Sequence, residues 1–307
     1  MNEILKIDNL SVSYGSKKAL QDISLTVNKG DFIGLLGSNG AGKSTLINSI
    51  TGLQKNVSGS ILFNTEAFNT ELQPFACLGF TPQTSVMDYY TTVWDNVMLG
   101  LNLAGKKGEE AVTLCNSALE IVGLSDKANE LVESLSGGQL QRVQIARAIA
   151  HKPYIYILDE PTVGLDAESS ERFLSYLKGE SERGKTIIIS SHDIQLLEMF
   201  CEKILFLQSG KLLFWGNLED FIGKTAQVIE FTVKNKISDS KLIWLKSFNF
   251  QIEILNSKSF KVHFSNNEDT ILIIQKILKE FDIKDIKIKD KQLRESYLNR
   301  VREEVYD

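Results

Sequence analysis

Gly37-Ser38-Asn39-Gly40-Ala41-Gly42-Lys43-Ser44 has the spacing of a loop that holds phosphate. Its glycines let the backbone curl so that consecutive N–H groups face one anion. A helix beginning at Lys43 adds its positive N-terminal end. In this G-x-x-x-x-G-K-[ST] pattern the Lys43 ammonium reaches the β- and γ-phosphates, and the Ser44 hydroxyl can hold Mg²⁺. The apolar run Ile33–Gly37 before it and Thr45-Leu46-Ile47 after it supply the strand and helix that such a loop requires. The loop implies nucleotide binding and leaves the class of nucleotide enzyme open.

A metal-bound triphosphate also needs an acid at the end of a buried strand. Tyr154-Ile155-Tyr156-Ile157-Leu158-Asp159-Glu160 ends in two. Asp159 suits the metal, and Glu160, one residue beyond, suits a general base that polarises the attacking water. Adjacent acids also end many surface strands, so it is the pairing with the phosphate loop that gives them chemistry.

Short, wholly apolar runs alternate with helical patterns up to about Glu219, as at Ile155–Leu158, Thr186–Ser190 and Lys203–Leu207. This pattern predicts an α/β fold with a buried, largely parallel sheet covered on both faces. The stretch from Ile4 to Val27 reads instead as antiparallel strands around a Tyr14-Gly15-Ser16 turn. After Lys224 glycine disappears and Lys, Ile, Asn and Phe dominate. Strands at 227–234, 250–255, 259–264 and 283–289, with helices at 238–247 and 268–280, give the βαββαβ order of a ferredoxin-like domain. Ile271, Ile274, Leu278 and Phe281 form the expected buried stripe of its second helix. A last helix follows Asp290, with Leu293, Tyr297 and Val301 on one face. The expected domains are therefore 1–222, with a helical subdomain at about 84–150, and 223–307, a small α+β domain ending in a helix.

Leu135-Ser136-Gly137-Gly138-Gln139, just before the helical run Leu140–Ala150, resembles the signature of the ATP-binding cassette (ABC) family, the ATPases of ABC transporters. Other landmarks follow in family order. Tyr14 matches the aromatic that stacks on adenine, Gln83 the Q-loop, Asp166 the D-loop, and His192 the switch histidine. The resemblance spans about Ile4 to Glu219, and Ser38 departs from it where many relatives carry proline. It implies a P-loop NTPase core with an antiparallel β-subdomain and a helical subdomain. It also implies binding of ATP and Mg²⁺ by the loop from Gly37 through Ser38, Asn39, Gly40, Ala41, Gly42, Lys43 and Ser44 to Thr45. Ser44, Gln83 and Asp159 would attend the metal, Glu160 would orient water, and His192 would sense the γ-phosphate. Gln83 and Asp166 would couple the site to its partners. Ser136, Gly137, Gly138 and Gln139 would complete the ATP site of a second subunit, either another copy or a paralogous ATPase. The blander alternatives are core packing for Tyr14, loop polarity for Gln83 and Asp166, and a satisfied strand-end histidine for His192.

In the family the helical subdomain docks on integral-membrane transporter subunits. Tyr89, Tyr90 and Trp94 could form that contact, or could be core. Thr91–Val97 and Glu160–Asp166 look most like the drug, antibiotic and bacteriocin exporter branch, with import of a small solute and a non-transport ABC ATPase as alternatives. A net charge of −5 argues against a nucleic-acid partner. No apolar run approaches the roughly 18–20 residues of a membrane span, and MNEILKIDNL lacks a secretory signal. The expected place is the cytoplasmic face of the membrane, held there by partners. Cys77, Cys115 and Cys201 are scattered without metal spacing, and His151 and His263 read as structural.

Overall fold

The computed structural model describes residues 2–64, 74–82, 87–223, 227–247, 251–264, 267–290 and 293–303. Two compact units divide it, Met1–Asn217 and Leu218–Asp307.

In the first unit, strands β1 (Glu3–Tyr14) and β2 (Lys17–Asn28) form the expected antiparallel hairpin, with Gly15 taking a positive φ in its turn. Strand β4 (Val57–Phe63) pairs antiparallel with the other edge of β1. The second sheet contains β3 (Phe32–Leu36), β5 (Leu78–Thr81), β6 (Ile155–Leu158), β7 (Thr186–Ser190), β8 (Lys203–Gln208) and β9 (Lys211–Asn217). Its order is β5-β6-β7-β3-β8-β9, parallel except for β9. Strands β3, β6 and β7 are buried along their whole length. Two covered faces explain why their sequences show no polar alternation. The consequence for function is positional. The loops after β3, β6 and β7 leave three neighbouring strands at the same carboxyl edge, where open α/β sheets hold their ligands.

Helix α1 (Lys43–Ile50) follows β3. Helices α2 (Val93–Leu103), α3 (Gly108–Ile121) and α4 (Gly137–Ala150) pack on one another between β5 and β6 in the chain. Helices α5 (Ala167–Glu182) and α6 (Ile194–Phe200) flank β7. The start of α2 shows why Thr91-Thr92-Val93-Trp94-Asp95-Asn96 takes the form it does. Thr92 Oγ1 accepts from the Asp95 N–H at 3.0 Å, and Asp95 Oδ2 accepts from the Thr92 N–H at 3.2 Å, a reciprocal capping box. Asn96 is buried yet satisfied at both ends. Its Nδ2 donates to the carbonyls of Asp88 and Thr92, and its Oδ1 accepts from the Asp88 N–H. These bonds fix the turn that carries Tyr89 and Tyr90.

The second unit begins with α7 (Leu218–Ile222). It continues through β10 (Gln227–Val233), α8 (Asp239–Lys246), β11 (Gln251–Asn256), β12 (Ser259–Phe264), α9 (Asn267–Glu280), β13 (Ile283–Asp290) and α10 (Leu293–Glu303). The sheet order β11-β12-β10-β13, with every neighbour antiparallel, is the ferredoxin-like arrangement. Ile229, Phe231, Phe260 and Val262 meet Leu245, Ile273, Ile277 and Phe281 in one core. The buried stripe of α9 is therefore only half the expected one: Phe281 is buried and Ile274 packs on the core, but the other two positions do neither. Ile271 is 64% exposed and Leu278 47%, while Ile273 and Ile277 are buried. The run Ile271-Leu272-Ile273-Ile274 offers apolar residues on every side of the helix, so spacing alone does not choose the face.

On the outer face of the sheet, Glu253, Lys261, Glu230 and Lys287 stand opposite one another across all four strands, alternating in sign. Such a row is self-compensating and suits water. Helix α10 closes on α7. Leu293 is buried, Ser296 Oγ donates to the Ile222 carbonyl at 3.2 Å, and the Arg300 guanidinium lies 4.6 Å from the Phe221 ring centre. Among the described residues no helix is long and apolar enough to cross a membrane.

Candidate functional site

Helix α1 starts from Gly42 at φ 109°, with no side-chain cap and no acid in its first turn. Its first N–H groups and positive end are thereby left for an anion. Gly42 is also sterically required. A Cβ there would stand 2.7 Å from the Ala19 carbonyl oxygen and 2.8 Å from Leu20 Cδ2. Lys43 is buried, and its Nζ donates to the carbonyls of Gly37 at 2.7 Å and Ser38 at 3.3 Å. Burial lowers the Lys43 ammonium below the usual lysine range, with Glu160 and Asp159 acting against that shift.

Across the loop stand the two acids. Both Asp159 and Glu160 are buried. Ser190 Oγ donates to Asp159 Oδ1 at 2.6 Å and accepts from the Glu160 N–H at 2.8 Å. Glu160 adopts φ 49°, a left-handed conformation uncommon outside glycine. Burial raises the Glu160 carboxyl above the usual range, while His192 and Lys43 pull it down and Asp159 adds to the rise. Its Oε1 is buried without a hydrogen-bond partner, a free acceptor of the kind a water-orienting base needs. The His192 N–H donates to Glu160 Oε2 at 3.0 Å.

Tyr14, Ser38, Asn39, Gly40, Gly42, Lys43, Ser44, Thr45, Asp159, Glu160 and His192 line one cleft of about 390 Å³, together with Lys17 and Ala19. Tyr14 is 51% exposed and its hydroxyl donates to Gln54 at 2.7 Å. It is therefore a surface aromatic beside the phosphate loop, not a core residue. Gly37 and Ala41 support the loop from behind. The Gly37 carbonyl receives Lys43, and Ala41 is buried with its carbonyl accepting from the Gly210 N–H.

Ser136, Gly137, Gly138 and Gln139 gather elsewhere, at the N-terminus of α4. Ser136 caps the helix in a second capping box. Gln139 Oε1 accepts from the Ser136 N–H at 2.9 Å, which commits that side chain to the cap. Ser136 and Gly137 are exposed, and a Cβ on Gly137 would meet nothing within 4 Å. Gly138 is the opposite case: a Cβ there would lie 2.4 Å from the Gly164 carbonyl oxygen. That contact seats the signature against the loop leading to Asp166, which caps α5 by accepting from the Ser169 N–H at 2.8 Å.

Gln83 lies outside the described residues, but α4 holds both of its flanks. Gln144 Nε2 donates to the Pro82 carbonyl at 2.5 Å, and Arg147 Nη1 lies 3.4 Å from Met87 Sδ. Tyr90 is 85% exposed and Tyr89 is exposed, whereas Trp94 is half-buried.

A family model described as ABC transporter matches residues 20–163. The linearmycin resistance ATP-binding protein LnrL of Bacillus subtilis (strain 168) is 33% identical over 247 residues, covering 80% of this chain and 79% of its own length. The chain belongs to the ABC transporter ATP-binding family. The methionine import ATP-binding protein MetN 1 of Listeria monocytogenes serotype 4b (strain F2365) is 31% identical over 281 residues, 90% of this chain and 82% of that protein. The dimeric cassette MJ0796, a bacterial ABC transporter cassette, superposes with a TM-score of 0.63 at 31% identity, covering 70% of this chain and 99% of that one. A post-hydrolysis state of MJ0796 with ADP and Pi superposes with a TM-score of 0.62. This ABC subunit binds ATP and is an ATPase.

The ABC cleft also fits Mg²⁺ by the chemistry of its donors. Ser44 and Asp159 share it and offer hard oxygens, and the described residues contain no cluster of three or more acids, histidines or cysteines. A metal that keeps several waters and takes phosphate oxygens needs only such a partial protein shell. When bound, Mg²⁺ would neutralise charge on the phosphate oxygens. The roles of Ser190 and Gln144 were not legible in the sequence, because their partners lie far away along the chain.

Proposed function

We propose that this ATPase works as one half of a head-to-tail pair on a membrane transporter. One observation carries the pairing: the cleft around Lys43 draws on none of Ser136–Gln139, although Ser136 and Gly137 sit exposed at a helix N-terminus suited to an anion. The signature of a second copy, or of a paralogous ATPase, supplies the missing wall of each ATP site. Lys43 and Ser44 hold the triphosphate and Mg²⁺, Asp159 the metal, and Glu160 orients the attacking water while His192 reads the γ-phosphate. Tyr14 carries the adenine, and Gln83 and Asp166 link the site to its partners. Hydrolysis removes the γ-phosphate contacts and lets the pair open. Swinging such an equilibrium from 99:1 to 1:99 takes about 5.5 kcal/mol. Several charge-assisted hydrogen bonds, each worth about 1.5–3 kcal/mol, suffice. The test is size-exclusion with light scattering on a Glu160→Gln chain. Dimer with Mg-ATP and monomer without it is the expected result. A monomer under both conditions, even beside its membrane partner, overturns the pairing.

A groove of about 780 Å³ between α2, α4 and β5, lined by Leu78, Phe80, Pro82, Leu103, Gln144 and Arg147, supports docking of a membrane-subunit helix. Gln144 and Arg147 also contact Pro82 and Met87, the described residues on either side of the Gln83 segment, so an occupant would bear on the same two side chains. The chain then sits at the cytoplasmic face of the membrane through its partners.

For the direction of transport we infer export of an antibiotic or peptide-like compound, supported by the motif resemblance and by the resistance function in the name of LnrL. Import is the second reading. The alignment with an import ATPase extends over 90% of this chain and so reaches the C-terminal unit. Deleting the gene separates them: heightened sensitivity and drug retention support export, and lost solute uptake supports import. Residues 223–307 serve as an accessory domain that regulates or stabilises the pair. Normal transport and dimerisation after their removal would refute that role.

A further inference from the structure

We infer that Ser190 is a positioning residue for hydrolysis, a single hydroxyl that sets the directions of both Asp159 and Glu160. This rests on the ATPase site proposed above and adds a residue to it. Ser190 ends β7 at 0% exposure, beside the end of β6 that carries both acids. Its Oγ has one proton to give, and gives it to Asp159 Oδ1 at 2.6 Å. The same oxygen accepts the Glu160 N–H at 2.8 Å. One acid is thus held by its carboxylate and the next by its peptide.

Each bond has a distinct effect. Fixing Oδ1 of Asp159 sets the direction of the carboxylate that would hold the metal, as hydrogen-bonded outer groups commonly orient a ligating carboxylate. Holding the Glu160 N–H stabilises a φ of 49°, which a non-glycine residue keeps only where its surroundings insist on it. The Glu160 carboxylate then meets the His192 N–H at 3.0 Å. Because His192 follows Ser190 by two residues on the same loop, the metal-side acid, the base and the γ-phosphate sensor share one anchor. Ser190 thus joins two groups with different tasks.

The test compares the purified full-length chain with Ser190→Ala and Ser190→Thr, using a fluorescent ATP analogue, steady-state hydrolysis and thermal unfolding. In EDTA the three proteins should bind the analogue equally. In Ser190→Ala, both the gain in affinity on adding Mg²⁺ and kcat should fall by about 10–100-fold, the usual effect of removing an outer-shell partner, with KM for ATP changing far less. Ser190→Thr, which keeps the hydroxyl, should restore both. Wild-type kcat and Mg²⁺ gain in Ser190→Ala would overturn the inference. So would an equal loss of affinity with and without Mg²⁺, which marks a folding role. If Ser190→Ala does not fold, Ser190→Cys, similar in size but a weak donor, carries the same comparison. A wild-type chain that binds but does not hydrolyse would count against the ATPase site itself, and the Mg²⁺-dependent gain would still decide Ser190.

Discussion

His192 approaches Glu160 at two points and holds it at one. Its backbone N–H donates to Oε2 at 3.0 Å, while its imidazole Nε2 stands 3.5 Å from Oε1, an ion-pair distance at which Oε1 still lacks a hydrogen bond. The backbone contact orients the carboxylate, and the side chain remains available to something else in the cleft.

Replacing Glu160 by Gln keeps the acceptor for the His192 N–H and removes the base. Single-turnover and steady-state assays should show hydrolysis slower by about 10²–10⁴-fold, the range of general-base effects. ATP affinity should be retained. Unchanged turnover removes Glu160 from the reaction.

Ser136 caps α4 at an exposed position, so Ser136→Arg places a long cation where a neighbour's phosphates would approach. Nucleotide binding to the isolated chain should persist, while the Glu160→Gln background should no longer dimerise on Mg-ATP. Loss of the cap should cost about 0.5–2 kcal/mol in stability, which denaturant unfolding measures. Normal dimer formation would assign the signature another task.

Gly138→Ala forces a Cβ to within 2.4 Å of the Gly164 oxygen. The backbone must shift, at about 1–3 kcal/mol for overpacking of this kind. The unfolding midpoint should fall. Hydrolysis should suffer more than nucleotide binding, because the signature and the loop before Asp166 are displaced together. A variant as stable and active as wild type would show that this contact is not needed.

His151 provides a pH test of stability. Burial lowers its pKa below the ordinary histidine value of 6.5, and its ring Nε2 lies 3.0 Å from the Leu78 carbonyl, which suits the neutral Nε2–H tautomer. The unfolded chain therefore takes up a proton more readily than the folded one. The neutral ring's contribution is complete above the unfolded pKa and declines as pH falls through it toward the folded value. The slope has an upper limit of about 1.4 kcal/mol per pH unit for one proton. His151→Gln, which keeps a donor for Leu78, should flatten this part of the stability curve between about pH 7.5 and 5.5. An unchanged difference between the two proteins across that range would refute the assignment.

The sequence was most informative where chemistry depends on near neighbours. The phosphate loop, the Asp159-Glu160 pair and the cap at Ser136 each declare themselves within eight residues. The ferredoxin-like order was legible because two hydrophobic periods alternate after Lys224. Ser190 was not, because its role exists only where β6 and β7 lie side by side, bringing Asp159 and Ser190 together across 31 positions. Gln144 reaches Pro82 across 62. Strand β5 has four residues, too few for a period to show. In α9 the failure was of another kind: too many apolar residues, not too few, hid the face that packs. The Ser136-to-Gln139 capping box was visible as S-x-x-Q, yet the resemblance drew that glutamine toward a nucleotide and away from its own helix.

The alternating charges on the outer sheet of the second unit also bear on how that sheet assembles. Glu230 faces Lys261 on one side and Lys287 on the other. If β13 slid by two residues in one direction, Asp285 would replace Lys287 opposite Glu230 and attraction would become repulsion. A slide of one residue would set Lys287 or Asp285 opposite Phe231, whose side chain is buried. The charges therefore disfavour that two-residue slide, whereas the opposite one would bring Lys289 to Glu230 and keep the attraction. Strand β13 is also an edge, and Lys284, Asp285 and Lys287 leave it a poor template for a strand from a neighbouring molecule.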